Sequence, residues 1–195
     1  FVLLRDPDSL TFSRDVYVID TNTRQVELFL EAESVGLEDM SMLALSPKGD
    51  AILIFGINME LAPVVGYIVV FGLETQTIME RFSPSQIISP LPDDPALLPA
   101  ISHGTNFTWV AGDQWFLAAI NAPTGPCYNY ALYFFDLTNL QNSFCIPTIK
   151  GIIGDPTISP DSSKLSYITV ADPGRMYVMI AAMPSDLVQR LRDEE

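Results

Sequence analysis

The stretch Leu45-Ser46-Pro47-Lys48-Gly49-Asp50-Ala51-Ile52-Leu53-Ile54-Phe55 decides how the rest of the chain is read. Pro47 sets the φ of a tight turn and Gly49 suits a left-handed position, so Ser46–Asp50 reverses the chain. The apolar runs on either side, Met42–Leu45 and Ala51–Phe55, read as two antiparallel strands. The pattern returns at Ile158-Ser159-Pro160-Asp161-Ser162-Ser163-Lys164, which leads into Leu165–Ile168. A third copy, without the proline, is Trp109-Val110-Ala111-Gly112-Asp113-Gln114-Trp115, between Phe107–Val110 and Trp115–Ile120.

Hairpins of a second kind lie between these units. Val16–Ile19 and Val26–Leu30 flank the polar Thr21–Arg24, Tyr67–Phe71 and Thr77–Phe82 flank Leu73–Gln76, and Ala131–Asp136 and Asn142–Ile146 flank Leu137–Leu140. Met176–Ile180 begins a fourth. Ser185–Leu191 is assigned as its partner because the repeat calls for an outer strand there, although a serine cap and apolar residues at 187, 188 and 191 also suit a terminal helix. The hairpins centre near residues 22, 74, 138 and 183, about 52, 64 and 45 residues apart, at or above the roughly 40–50 of propeller blades. Several strands, Tyr133-Phe134-Phe135 among them, are apolar at consecutive positions instead of alternating. Such a sheet is apolar on both faces and needs a neighbour on each, which radial stacking supplies.

The units Leu45–Phe55 and Ile158–Met183 resemble the β-propeller repeats of the TolB-like and WD-like class, in which a Ser-Pro-Asp-Gly turn precedes an apolar strand and a further strand follows. Asp15–Phe29 resembles the last two strands of such a blade. The resemblance spans residues 1–30, 41–82 and 105–190. It implies an all-β fold, a β-propeller of about four blade-like, four-stranded antiparallel sheets that form a fragment of a larger ring. The expected organisation is one propeller segment over 1–195, with blades at about 1–30, 41–82, 105–147 and 156–190 and a Pro-rich inter-blade connection at 83–104. The sequence departs from the pattern where Ser162 or Ser163 replaces the glycine, where the middle copy lacks Ser-Pro, and in having no Trp-Asp dipeptide. A β-sandwich with Pro-Gly turns is the competing architecture. Both ends, Phe1–Arg5 and Gln189–Glu195, read as cuts through a longer protein.

Of the 195 residues, 48% are hydrophobic, and 24 Asp and Glu outweigh 10 Lys and Arg to give a net charge of −14. That apolar fraction excludes a disordered chain, and the acidity argues against nucleic acid and anionic lipid as partners. No run of about 18 apolar residues offers a membrane-spanning helix. Cys127 and Cys145 are the only cysteines, and both fall towards the same end of one hairpin. Joined, they close a loop worth roughly 3 kcal/mol and imply an oxidising compartment; unjoined, they are two buried thiols. The disulfide is the expectation, and with it a periplasmic or secreted, extracytoplasmic location.

In a propeller the loops joining the second and third strands of each blade share one face with the blade-to-blade connections. Here these loops are 6–13, 57–63, 121–126 and 171–174, joined by the 83–104 connection with its prolines at 84, 90, 92, 95 and 99. Met59, Leu61, Ile88, Leu91, Leu97, Leu98, His103 and Pro123 are the candidate partner-binding residues on that face. The apolar content of 83–104 either packs over the channel or an open edge of its own sheet, or docks a partner. His103 is a lone loop histidine and reads as a hydrogen-bonding group. The chain has no Gly-x-Ser-x-Gly, phosphate loop, His-Glu-x-x-His or Cys-x-x-Cys. Asp93-Asp94 and Asp6/Asp8 lack the spacing of a calcium loop, and Asn106-Phe107-Thr108 matches a glycosylation sequon. The expectation is a non-enzymatic scaffold that binds a protein partner, with no metal and no cofactor. The alternatives are the accessory propeller of a secreted prolyl-oligopeptidase-like hydrolase and a structural subunit of a larger envelope assembly.

Overall fold

Within the sheets most strands lie beside the one before them in the chain, and this produces four antiparallel sheets among the described residues. The computed structural model describes residues 1–5, 14–58, 65–87, 100–101, 107–110, 114–121, 127, 130–147, 149, 151–172 and 175–193. They fall into two compact units, Phe1–Ser83 and Pro84–Glu195.

In the first unit β1 (Val2–Arg5), β2 (Arg14–Ile19) and β3 (Val26–Leu30) form one sheet, and β4 (Asp39–Leu45), β5 (Ala51–Asn58), β6 (Val65–Gly72) and β7 (Thr77–Phe82) form another. The two are packed by Val16 and Leu30 against Ile52, Ile54, Val69 and Phe71, with Val35 and Leu37 of the linking segment filling in. Phe29 meets Phe1 and Phe71 edge-on, at 5.0 and 6.1 Å between ring centres. Arg14 grips Asp39 with a two-pronged contact, Nε to Oδ1 at 3.0 Å and Nη2 to Oδ2 at 2.7 Å, which ties β2 to β4. The alternate residues Leu53, Phe55, Ile68 and Val70 are buried as well, so β5 and β6 hide both faces, whereas β7 is exposed along all but its last residue. This is why Ala51–Phe55 is continuously apolar.

In the second unit β8 (Ala100–Ile101) and β9 (Thr108–Trp109) both pair with β10 (Trp115–Asn121), which continues through β11 (Ala131–Asp136) to β12 (Phe144–Ile146). The last sheet is β13 (Ile152–Ile158), β14 (Lys164–Asp172) and β15 (Arg175–Ala182). Trp115, Leu117, Leu132 and Phe134 of the first sheet pack with Ile152 and Leu165 of the second. Phe134 stacks on its cross-strand partner Phe144 at 5.1 Å, and on the opposite face Phe116 stacks on its partner Phe135 at 4.8 Å. Both Phe116 and Phe135 are fully buried, so β10 and β11 likewise hide both faces.

Two expectations are corrected. Ser185–Asp193 is an α-helix, α1, and not a fourth strand of the last sheet. Val188 N–H donates to the Pro184 carbonyl at 2.9 Å to start it, and Leu187 and Leu191, one turn apart, sink into the core beside Leu165 and Met183. The local apolar spacing therefore prevails over the repeat. The 83–104 connection is also not all loop. Pro84–Gln86 is a turn of 3-10 helix, and Ala100–Ile101 pairs with Asn121–Ile120, placing the segment's end along the edge of its own sheet.

The two Ser-Pro turns share their backbone bond and the acceptor role of the serine, while the serine hydroxyls donate differently, Ser46 to Asp50 and Ser159 to Asp161. Ser46 N–H donates to Ala51 O and Ser159 N–H to Lys164 O, at 2.8 and 2.9 Å. Each serine Oγ then accepts the N–H five residues on, Ala51 at 3.1 Å and Lys164 at 2.9 Å. The third copy keeps the backbone bond, Val110 N–H to Trp115 O at 2.9 Å. Gly49 sits at φ +74°, and Ser162, in the place of that glycine, adopts φ +55°.

Candidate interaction surfaces

Antiparallel order gives every sheet two unlike ends. One end carries the turns β2–β3, β4–β5, β6–β7, β11–β12 and β13–β14, and the other carries the connections β1–β2, β5–β6, β10–β11 and β14–β15.

The turn end is fastened by side chains. Asp20 Oδ1 accepts from the N–H groups of Asn22 and Thr23, and those bonds hold its carboxyl below the ordinary carboxylate range. Asp136, 1% exposed, accepts from Thr138 N–H at 2.9 Å, Thr138 Oγ1–H at 2.6 Å, Asn139 N–H at 3.2 Å and Asn142 Nδ2–H at 3.1 Å. Burial opposes ionisation of Asp136, but these donors outweigh it and its pKa is lowered. Asp161 accepts from Ser159 Oγ–H and from both Ser163 Oγ–H and N–H, which depress its pKa strongly. These aspartates are structural caps of turns, the role that Asx geometry gives them.

At the other end Cys127 and Cys145 form the expected disulfide, with 6.2 Å between their Cα atoms. It ties β12 to the segment entering β11, and Cys127 is 1% exposed. In the first unit the link between β3 and β4 is pinned at this end. Arg81 Nη2–H donates to the Gly36 carbonyl at 2.9 Å while its guanidinium lies over the Tyr67 ring, 4.3 Å from the ring centre. Gly36 sits at φ +72°, the left-handed region that favours glycine, and its missing side chain leaves room for the Arg81 guanidinium. The candidate partner-binding residues Met59, Leu61, Ile88, Leu91, Leu97, Leu98, His103 and Pro123 lie outside the described residues.

A shallow cleft of about 440 Å³ runs beside β3 and the β6–β7 hairpin, floored by Phe29, Phe71 and Ile78 and edged by Ser34, Gln76 and Thr77. Among the described residues no group of three or more His, Cys, Asp or Glu is placed to hold a metal ion. No helix among them is long and apolar enough to cross a membrane. Sequence reasoning missed two apolar sheet faces that stand open. Val170, Met176, Val178 and Ile180 share one, and Leu4, Ile19, Val26 and Leu28 share the other.

No protein-family model matches the chain, and no characterised protein matches it in sequence. A structure from a study of two prolyl endopeptidases superposes on 90% of this chain with a TM-score of 0.55 at 12% identity. The fold is a β-propeller's. The β-propeller domain of the trilobed protease from Pyrococcus furiosus (TM-score 0.48, 11% identity, 87% of this chain) and that of Cps50 (Swd1) from Myceliophteria thermophila (0.49, 14%, 87%) also align. Below a TM-score of 0.5 these two add no further argument. The chain spans 24% of the prolyl endopeptidase chain and 47% and 45% of the other two. At such identities the likeness shows the fold alone.

Proposed function

We propose that this chain is a non-enzymatic interaction module, a stack of propeller blades that presents its loop end to a protein partner in an extracytoplasmic compartment. The observation that carries the reading is the asymmetry of the sheets. Within each sheet one end is closed by short turns, fastened through Asp20, Ser46, Asp136 or Ser159, and the longer connections between strands fall at that sheet's opposite end. A rigid frame with variable loops on one side is how scaffolds display binding residues. The Cys127–Cys145 disulfide stiffens that same end and supports an oxidising location.

The test is capture of binding proteins from the native source by the wild-type chain and by a Leu97→Asp/Leu98→Asp variant. The reading expects a partner that the wild type retains and the variant loses. An empty wild-type capture, or equal recovery by both, overturns it. The likeness to a prolyl endopeptidase supports a second reading, the accessory propeller of a secreted hydrolase. That reading requires a catalytic domain in the same reading frame, and a frame encoding propeller repeats alone dismisses it.

A further inference from the structure

The cleft beside β3 and the β6–β7 hairpin is lined from the first unit alone. Phe29, Phe71 and Ile78 give it an apolar floor, and Ile78 keeps 42% of its surface exposed. β3 and β7 are each the last strand of their sheet among the described residues, so the cleft opens between two strand edges. At about 440 Å³ it has the size of a ligand pocket, but a shallow site does not bury most of a small molecule. An extended chain laid along it meets the floor with alternate side chains and spreads its contacts.

The charge around this floor is lopsided. Glu27 pairs with Val18 and so stands on the Val16 side of the β1–β3 sheet, the side from which Phe29 reaches Phe71. Glu31 and Glu33 adjoin the Ser34 end of the cleft, and Glu74 adjoins the Gln76 end. All of these carboxylates are exposed, and none is in an ion pair among the described residues. Against them stand Arg24 in the β2–β3 turn and Arg81, which is held by the Gly36 carbonyl and the Tyr67 ring. Excess negative charge beside an apolar floor repels acidic chains and anionic lipid, and it suits a partner that carries cationic and apolar groups side by side.

We propose that this cleft binds an extended segment of a partner protein in which basic residues alternate with apolar ones. The apolar side chains rest on Phe29, Phe71 and Ile78, and the long stems of Lys or Arg carry their charges out to Glu27, Glu31 and Glu33. The site is built from strand and hairpin residues with Ser34 of the β3–β4 link, and not from the loops that the proposed function uses. It therefore goes beyond that function, and either can fail without the other.

The test is fluorescence anisotropy of a short labelled peptide in which lysine alternates with leucine, titrated with the intact chain and three variants altered at exposed positions. Glu27→Lys reverses a charge at the cleft. Glu80→Lys makes the same charge change on β7, but Glu80 pairs with Val70, on the opposite face from Phe71, the partner of Ile78. Ile78→Ser removes part of the floor. The wild type is expected to bind the peptide, and Glu27→Lys and Ile78→Ser each to raise its dissociation constant about fivefold, while Glu80→Lys changes it less than about twofold. A peptide with serine in place of leucine, which needs no variant protein, is expected to bind the wild type at least about fivefold more weakly. No binding by the wild type overturns the proposal. Equal weakening by Glu27→Lys and Glu80→Lys also overturns it, because attraction to an acidic surface at large then accounts for the binding. A serine peptide that binds as well as the leucine one overturns the role of the apolar floor and the proposal with it.

Discussion

Asp136 shows how much one side chain does in this fold. It ends β11, is nearly fully buried, and accepts four hydrogen bonds that together shape the 137–143 turn. Its pKa is lowered from the usual value near 3.9, so the stabilisation is complete above that pH and is lost as pH falls through the depressed value. Asp136→Ala is expected to cost about 2–3 kcal/mol at pH 7, because the donors around it lose a charged acceptor. Urea melts at pH 7 and pH 3 check this: the gap between wild type and variant should narrow at the acid end, and a constant gap would show that packing and not charge is at stake. Ser162 shows what the sequence could and could not convey at this scale. The Ser-Pro pair announced the turn, and Ser46 and Ser159 make matching bonds in it. Which serine would hold the left-handed position of Gly49, Ser162 or Ser163, was not readable, since only the closed turn forces φ +55° on Ser162.

At the scale of elements, strands were legible and the helix was misread. A strand buried on both faces leaves a run of consecutive apolar residues, which is why Ala51–Phe55 and Ala131–Phe135 stand out from sequence alone. For Ser185–Leu191 the reading gave the repeat more weight than the local spacing. The spacing was the better guide, because two leucines one turn apart find a pocket between β14 and the β10–β11 sheet that a flat strand would not fill. Leu191, with no exposed surface, is therefore a core residue of the second unit. Leu191→Ala is expected to destabilise the chain by about 2–4 kcal/mol, the usual result of emptying a leucine-sized site. Leu191→Met, which keeps the volume, is expected to cost under about 1.5 kcal/mol. Were the segment an outer strand, the two substitutions would be nearly equal and small. Thermal or urea unfolding of the pair decides between them.

For the whole molecule, the succession of sheets along the chain was legible, and which of their apolar faces stand open was not. Met176–Ile180 and Tyr67–Phe71 look alike as strings of letters, yet the described part of β15 is exposed where β6 is buried. An apolar run records that a strand is built to be covered and says nothing about whether the cover lies in the same chain. The loop residues chosen from sequence fall outside the described part, so the candidate surface that the coordinates add, the two open faces, comes from three-dimensional register alone. Net charge acts on the same scale. At −14 the folded chain crowds its carboxylates together, and that repulsion opposes compaction. Raising sodium chloride from about 0.02 M to about 0.5 M shortens the screening length severalfold. If this relieves about 1 kcal/mol, the melting midpoint rises by about 2–4 °C. The melt must be run dilute, because any association would raise the midpoint by itself. A rise that persists unchanged on further dilution belongs to self-repulsion within one chain. A flat midpoint would mean that the carboxylates are held by local donors, as Asp20 and Asp161 are, and that their sum does not matter to the fold.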